Sequence, residues 1–397
     1  MPWIERIKEG QPDQLFVGVP IGFERTAGTT AGGKLIPYST YGLQDFRYAL
    51  LPWLVGTARR RGIEGKVYLS ISPATRKTEK AAGIPIGLPD GAYLGEAAAA
   101  VLWKLTCVPF HVAGLTDVDA WRRETLKYLK AARDLELISV WSPTFLLRLL
   151  DELPDPREIW PNLKVVSCWT NASSATAARE LARRLPHGHI QPKGLLSTEC
   201  VVTVPDDEER PALTAHGFFE FEDAQGLHLP GDLQEGRQYQ VIATTASGLY
   251  RYRTGDLVRY EGRAKLGRPI LEFIGREGLV SDLVGEKLSE PFVERCLESV
   301  PGFRFLAPRA EGDGYMLAVE ARVEVPLEQI EEKLCANPQY AYARRLGQLS
   351  PLRVLPVAGL YDRYVDAELK RGVRLADIKT VALRKEHRWA MALGGST

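Results

Sequence analysis

The feature that most limits how this chain can fold is an alternation of strand and helix patterns that runs from about residue 66 to residue 200 and then stops. KVYLSIS (66–72) reads as a strand. DAWRRETLKYLKAARDLELISVW reads as a charged helix running into a second strand. SPTFLLRLLDELP follows as a helix with Ser142 as its N-cap and leucines on one face. NLKVVSCW is a buried strand and SSATAARELARRLP the helix after it. Strands separated by whole helices cannot pair as hairpins. The alternation therefore predicts an α/β architecture with a largely parallel sheet.

Beyond residue 200 the pattern changes. VVTVP, GFFEFED, QYQVIATTA, GLYRYRTGDLVRYEG and ILEFIG are short strand patterns separated by turns, which predict a β-rich subdomain. After Gly275 it changes again. A helix is expected to begin near Ser289, YMLAVEARV reads as a strand and PLEQIEEKLCAN as a helix. LRVLPVAGLYDRYVDAELKRG reads as strand and irregular chain. This describes a small α+β unit, so the expected division is a large domain over residues 1–275 and a small one over 276–397.

Composition narrows the function by exclusion. The 397 residues carry 51 Lys and Arg against 50 Asp and Glu, a net charge of +1. That balance excludes a strongly basic nucleic-acid binder and an acidic disordered chain. No apolar run approaches the length of a membrane span, and MPWIERIKEGQPD lacks the basic-then-apolar order of a signal peptide. Cys107, Cys168, Cys200, Cys296 and Cys335 are scattered, with no C-x-x-C spacing, and are expected to be buried thiols in a reducing cytoplasm. His187 and His189 lack a third ligand at useful spacing, so RLPHGHI is expected to be a surface turn. No G-x-S-x-G elbow or Cys–His pair signals a covalent nucleophile.

Five segments carry chemistry. TAGTTAGGKLIPYS (26–39) combines glycines, threonine hydroxyls and Lys34, which suits an anion. Its Gly28 to Lys34 stretch approaches the phosphate loop of P-loop enzymes, but Leu35 replaces the metal-binding hydroxyl and no convincing strand precedes it. LLSTE (195–199) sets the Glu199 carboxylate beside two hydroxyls. GLYRYRTGD (248–256) ends in Asp256, a residue type able to accept both hydroxyls of a ribose diol. FIGRE (273–277) lies at the composition boundary, and Lys379 sits in ADIKTVALRKEHR.

With these segments in this order, the chain resembles the adenylate-forming superfamily. Within it, the chain is most similar to the auxin-responsive acyl acid–amido synthetases and their bacterial relatives. TAGTTAGGKLIPYS, WPNLKVVSCW, LLSTE, ATTASGLYRYRTGD and FIGREG carry the resemblance, with weaker support from GEKLSE and IKT. The resemblance implies an ATP-dependent ligase that activates a small carboxylic acid as an acyl-adenylate. It then passes the acyl group to an amine or amino acid, or to the thiol of coenzyme A in the nearest alternative. A nucleotide-binding scaffold without catalysis is the third reading.

The same resemblance implies residue roles. The loop from Thr26 through Gly28, Thr29, Thr30, Gly32 and Gly33 to Lys34 would hold the β- and γ-phosphates of ATP. Glu199 would bind Mg2+, with Ser197 and Thr198 near the α-phosphate. Leu195 stands where relatives place an aromatic residue against adenine. Asp256 would grip the ribose, and Arg276 would contact the nucleotide at the hinge. Lys379 would reach the reacting carboxylate and α-phosphate from the small domain, although Val381-Ala382 replaces the proline common after that lysine. The acyl pocket is expected between Tyr68 and Thr75, Val101 and His111, Val140 and Leu146, and Trp169 and Ser173. Trp103, Phe110, Trp141, Phe145 and Trp169 are its candidate aromatics. Only 25 residues precede the loop, so the acyl pocket is where departure from relatives is expected.

Overall fold

The computed structural model describes residues 2–26, 34–69, 79–88, 90–115, 117–276, 280–373, 375 and 378–393. The strands Lys66–Leu69, Leu135–Ser139, Val165–Cys168 and His189–Pro192 form a sheet in that order, each neighbouring pair parallel. Two of the helices between them start at side-chain caps. Asp117 accepts the Ala120 N–H at 2.6 Å to begin Val118–Ala131, and Ser142 accepts the Phe145 N–H at 3.4 Å to begin Pro143–Leu150. Val165–Cys168 is buried throughout, as strands covered by helices are. Trp121, Leu129, Leu146 and Leu181 from the helices join Leu135, Ile138 and Val166 from the sheet in one apolar cluster. Each fully buried large side chain there stabilises the fold by about 1.5–3 kcal/mol.

The β-rich part is a seven-stranded sheet. Its order is Gly226–His228, Phe218–Asp223, Gln238–Thr244, Tyr252–Arg263, Pro269–Arg276, Pro211–Leu213 and Thr203–Pro205. Every adjacent pair is antiparallel. This is the α/β domain with β-rich subdomain that the sequence pattern predicts.

Two expectations are corrected. A strand does precede the glycine-rich loop: Gly22–Arg25 pairs antiparallel with Leu35–Tyr38. The chain therefore leaves the loop as a strand, whereas a P-loop feeds a helix. The helix comes later, over Thr40–Arg61, and ends at Gly62 in the left-handed conformation with φ 58°. The second correction is Leu360–Lys370, which is a helix and not irregular chain. Its buried Leu360, Tyr361, Tyr364 and Val365 recur at helical spacing.

That helix has a definite place. Arg304–Pro308, Tyr315–Glu320 and Arg353–Val357 form a three-stranded sheet in the C-terminal part of the chain. Side chains alternate across it. Leu306, Tyr315, Leu317 and Val319 face a cluster with Val293, Ile330 and Leu334, whereas Phe305, Ala307, Met316 and Ala318 face Leu360, Tyr364 and Trp389. Without Leu360–Lys370 the second face would be open to water. A cleft of about 230 Å3 separates this unit from the helices of the large domain, lined by Leu147 and Arg183 on one side and Phe303 and Thr380 on the other.

Candidate active site

The hairpin fixes both ends of the glycine-rich loop. The Thr26 N–H donates to the Lys34 carbonyl at 2.8 Å, and the Lys34 N–H donates to Thr26 Oγ1 at 3.0 Å. Gly28, Thr29, Thr30, Gly32 and Gly33 lie outside the described residues. The exposed Lys34 ammonium stands 5.9 Å from the centre of the Tyr252 ring.

The strand leaving the loop ties it to the glutamate motif. Tyr38 is buried, and its hydroxyl donates to the Thr198 carbonyl. Burial, reinforced by the Glu24 carboxylate, pushes the Tyr38 phenol well above its ordinary range and keeps it a donor. The next residue, Ser39, caps the following helix through the Gly42 N–H at 2.9 Å and donates to the Ala246 carbonyl at 2.7 Å. Gly42 is required by contact: a Cβ there would stand 1.8 Å from Ser247 Oγ. The loop segment is thus locked to ATTASG just before GLYRYRTGD.

LLSTE forms a tight turn. The Ser197 N–H donates to the Cys200 carbonyl at 3.0 Å, and the Cys200 N–H donates to Ser197 Oγ at 3.3 Å. This turn presents Thr198 and Glu199. Glu199 is 8% exposed and accepts the Tyr252 hydroxyl at 3.3 Å. Leu195 is buried in the core of the seven-stranded sheet, and its N–H donates to Thr203 Oγ1 at 2.8 Å.

Register does the rest. Asp256 and Arg276 are direct partners across the two central strands. Arg276 Nε lies 3.0 Å from Asp256 Oδ1, and Arg276 Nη2 donates to the Thr254 carbonyl at 2.7 Å. Asp256 Oδ2 is buried and accepts no hydrogen bond among the described residues. A buried carboxylate oxygen left open is costly unless a donor fills it. The Tyr252 phenol is the point of convergence. Burial and Glu199 push it up, Arg276 pulls it down, and Asp256 raises it further. Tyr252 thereby links the glutamate motif and the end of the glycine-rich loop, and it feels the charges of Asp256 and Arg276.

Lys379 comes from the other side. Its ammonium lies 5.4 Å from the Trp169 ring centre, and its carbonyl accepts the Tyr364 hydroxyl at 2.7 Å. Trp169 packs against Trp141 at 6.0 Å. Both rings sit just past the carboxyl ends of parallel strands, where open α/β sheets bind ligands. The other aromatics divide. Phe145 is 9% exposed and packs on Trp121, while Trp103 and Phe110 are half-exposed and pack in a tilted pair with ring centres 5.0 Å apart. Tyr68 is core.

Three residues escaped the sequence reading. Tyr38 and Tyr252 lie inside quoted motifs but reveal their role only through partners 160 and 53 residues away in sequence. Lys193 is 4% exposed. It donates to Ser139 Oγ at 2.7 Å and stands 5.2 and 5.0 Å from the Trp53 and Trp141 rings. Burial brings it down to about 8. Its only signal in sequence is a lysine directly after a strand. The five cysteines are free thiols, with Cys168, Cys200 and Cys296 buried. His189 does lie at the surface, paired with Glu209.

A large α/β domain, a β-rich subdomain and a small C-terminal domain define the adenylate-forming fold. Solved structures share it. The acyl acid amido synthetase AtGH3.15, in complex with 2,4-DB, superposes with a TM-score of 0.83 over 99% of this chain and 84% of that one, at 18% identity. A 2-hydroxyisobutyryl-CoA ligase in its postadenylation state gives a TM-score of 0.60 over 98% of this chain and 79% of that one, at 12% identity.

Within that class the chain belongs to the GH3 family. The family's N-terminal, central and C-terminal domain models match residues 1–155, 211–276 and 299–388. A probable indole-3-acetic acid-amido synthetase of Oryza sativa subsp. japonica, GH3.6, is 26% identical over 271 residues, 54% of each chain. An indole-3-acetic acid-amido synthetase of Arabidopsis thaliana, GH3.4, is 34% identical over 182 residues, 40% of this chain and 30% of that one. The chain spans about half the length of the first of these relatives. Among the described residues no helix is long and apolar enough to cross a membrane.

Proposed function

We propose that this chain is an ATP-dependent acyl acid–amido synthetase of the cytoplasm. It would activate a small carboxylic acid as an acyl-adenylate, release pyrophosphate, and transfer the acyl group to an amine or amino acid. The observation that carries this reading is the buried Asp256 carboxylate, held by Arg276 through one oxygen and open at the other, beside the Tyr252 hydroxyl that donates to Glu199. Family membership and the names of the matched relatives support it.

A free carboxylate resists attack because its charge repels nucleophiles and oxide leaves poorly. Moving AMP onto one carboxylate oxygen supplies a good leaving group. In this reading Asp256 accepts the ribose hydroxyls and Leu195 contributes to the adenine wall. The loop from Thr26 to Lys34 wraps the β- and γ-phosphates, and Ser197 and Thr198 face the α-phosphate. Lys379 adds positive charge where negative charge builds on the α-phosphate oxygens during attack.

The residues also fit Mg2+. Glu199 is a buried carboxylate with one neutral donor on it, and no cluster of three His, Cys, Asp or Glu ligands occurs among the described residues. That donor set suits an ion completed by substrate phosphates and water. When bound, Mg2+ would neutralise phosphate charge. The same residues can then serve a second step if residues 276–397 turn about Arg276 as a small mobile domain against 1–275.

The test is pyrophosphate release over a panel of carboxylic acids. Each acid is run without acceptor, with an amino-acid and amine mixture, and with coenzyme A, and products are identified by mass. Acid-dependent pyrophosphate release with an amide product is expected. A thioester as sole product would assign the protein as a coenzyme A ligase, and no acid-dependent release would sink the enzymatic reading.

A further inference from the structure

Lys379 stands on a short stretch of backbone held at two points. Its own carbonyl accepts the Tyr364 hydroxyl at 2.7 Å. Three residues on, the chain joins the small sheet. The Leu306 N–H donates to the Ala382 carbonyl and the Arg384 N–H to the Leu306 carbonyl, both at 2.7 Å. The Ala382 N–H is not part of that pairing, and Glu290 Oε1 accepts it at 3.3 Å.

Glu290 opens the helix Glu290–Cys296 and is 3% exposed. Its other oxygen faces the hinge: a Cβ on Gly275 would stand 3.2 Å from Glu290 Oε2 and 2.5 Å from Pro291 Cγ. Only glycine lets the strand Pro269–Arg276 approach the start of this helix so closely. One carboxylate therefore touches the end of the hinge strand and the segment that carries Lys379. Burial raises this carboxyl to about 7, and the Ala382 N–H opposes the rise. A solvated surface acid would show neither effect.

We propose that Glu290 is a positioning residue for adenylation: seated beneath Gly275, it holds the Ala382 N–H and so sets where Lys379 stands against the large domain. The proposal rests on reading Lys379 as the adenylation lysine. Glu290 and Ala382 lie in the same unit, so their bond survives rotation at Arg276. The contact with Gly275 does not, which restricts the effect to the first half-reaction. Displacing a charged group by about 1 Å costs on the order of 100-fold in rate.

The experiment measures two half-reactions in the full chain: acid-dependent ATP–pyrophosphate exchange, and aminolysis of a synthetic acyl-adenylate. Glu290→Ala and Glu290→Asp, which cannot reach Ala382, are expected to lower kcat for exchange by at least about 10-fold with KM for ATP unchanged. Aminolysis is expected to stay within about twofold. Glu290→Gln keeps an acceptor oxygen and is expected to restore most of the exchange rate. Equal loss in both half-reactions, or no loss with Glu290→Asp, overturns the proposal, and the aspartate variant decides if Glu290→Ala is unstable. Lys379→Ala separates the two readings. If it keeps normal exchange, the role of Lys379 itself is wrong. If it loses exchange while the Glu290 variants do not, only the role of Glu290 is wrong.

Discussion

Replacing Asp256 by alanine tests the nucleotide site at its most exposed inference. In the fold Asp256 is 4% exposed, Oδ1 is held by Arg276 at 3.0 Å, and Oδ2 accepts nothing among the described residues. If a ribose hydroxyl donates to Oδ2, the lost bond is one to a charged acceptor, worth about 1.5–3 kcal/mol. That corresponds to a 10- to 150-fold weaker affinity, at about 1.4 kcal/mol per tenfold. The ion pair with Arg276, whose side chain is one-third exposed, adds less than about 1 kcal/mol. The assay is calorimetric binding of ATP and of 2′,3′-dideoxy-ATP to the parent protein and to Asp256→Ala. The parent should prefer ATP by roughly 10-fold or more. The variant should lose that preference while binding the dideoxy nucleotide within about threefold of the parent. An equal drop for both nucleotides would refute a ribose contact and leave Asp256 only the task of orienting Arg276.

Lys193→Met should change how stability depends on pH. Burial holds this lysine at about 8 against 10.5 in the unfolded chain. Between those values the unfolded state binds more protons, so stability rises with pH across the window, by about 3 kcal/mol in all. Urea unfolding at pH 7.5 and 9.5 should show the parent gaining about 2 kcal/mol relative to Lys193→Met between the two pH values, and a difference between the two proteins that does not change with pH would disprove the assignment. Gly42→Ala should destabilise by about 1–3 kcal/mol, because its Cβ would stand 1.8 Å from Ser247 Oγ. Ser247→Gly in the same chain should recover most of that loss, and failure to do so in thermal melts would mean the helix start is strained for another reason. Lys379→Ala should slow adenylation by at least about 10-fold and spare aminolysis of supplied acyl-adenylate, and normal rates in both would remove its role.

How much could be read in advance differs from element to element. Ser142 and the leucines after it announce their helix, because capping and 3.6-residue periodicity are local. Leu360–Lys370 was harder. Gly359 and the three aromatic or β-branched residues Tyr361, Tyr364 and Val365 weaken its local helical signal, and what makes it a helix is an open apolar sheet face that needs covering. Gly22–Arg25 is only four residues long and is a strand because Leu35–Tyr38 pairs with it. Lys193 carries no local mark of burial, since its environment is built by Trp53, Ser139 and Trp141 from distant segments.

By itself the sequence determined the kinds of element, the change of architecture near residue 200, and the identity of Glu199, Asp256, Arg276 and Lys379 as chemical candidates. These rest on short-range facts: periodicity, caps, glycine, and which side chains carry charge. Tertiary structure alone decided what each of them faces. The antiparallel register puts Asp256 opposite Arg276. Tyr252 turns its hydroxyl to Glu199 and its ring to Lys34. The small unit brings Lys379 over Trp169. Register and sheet order are set by packing between segments far apart in the chain, and no local pattern encodes that.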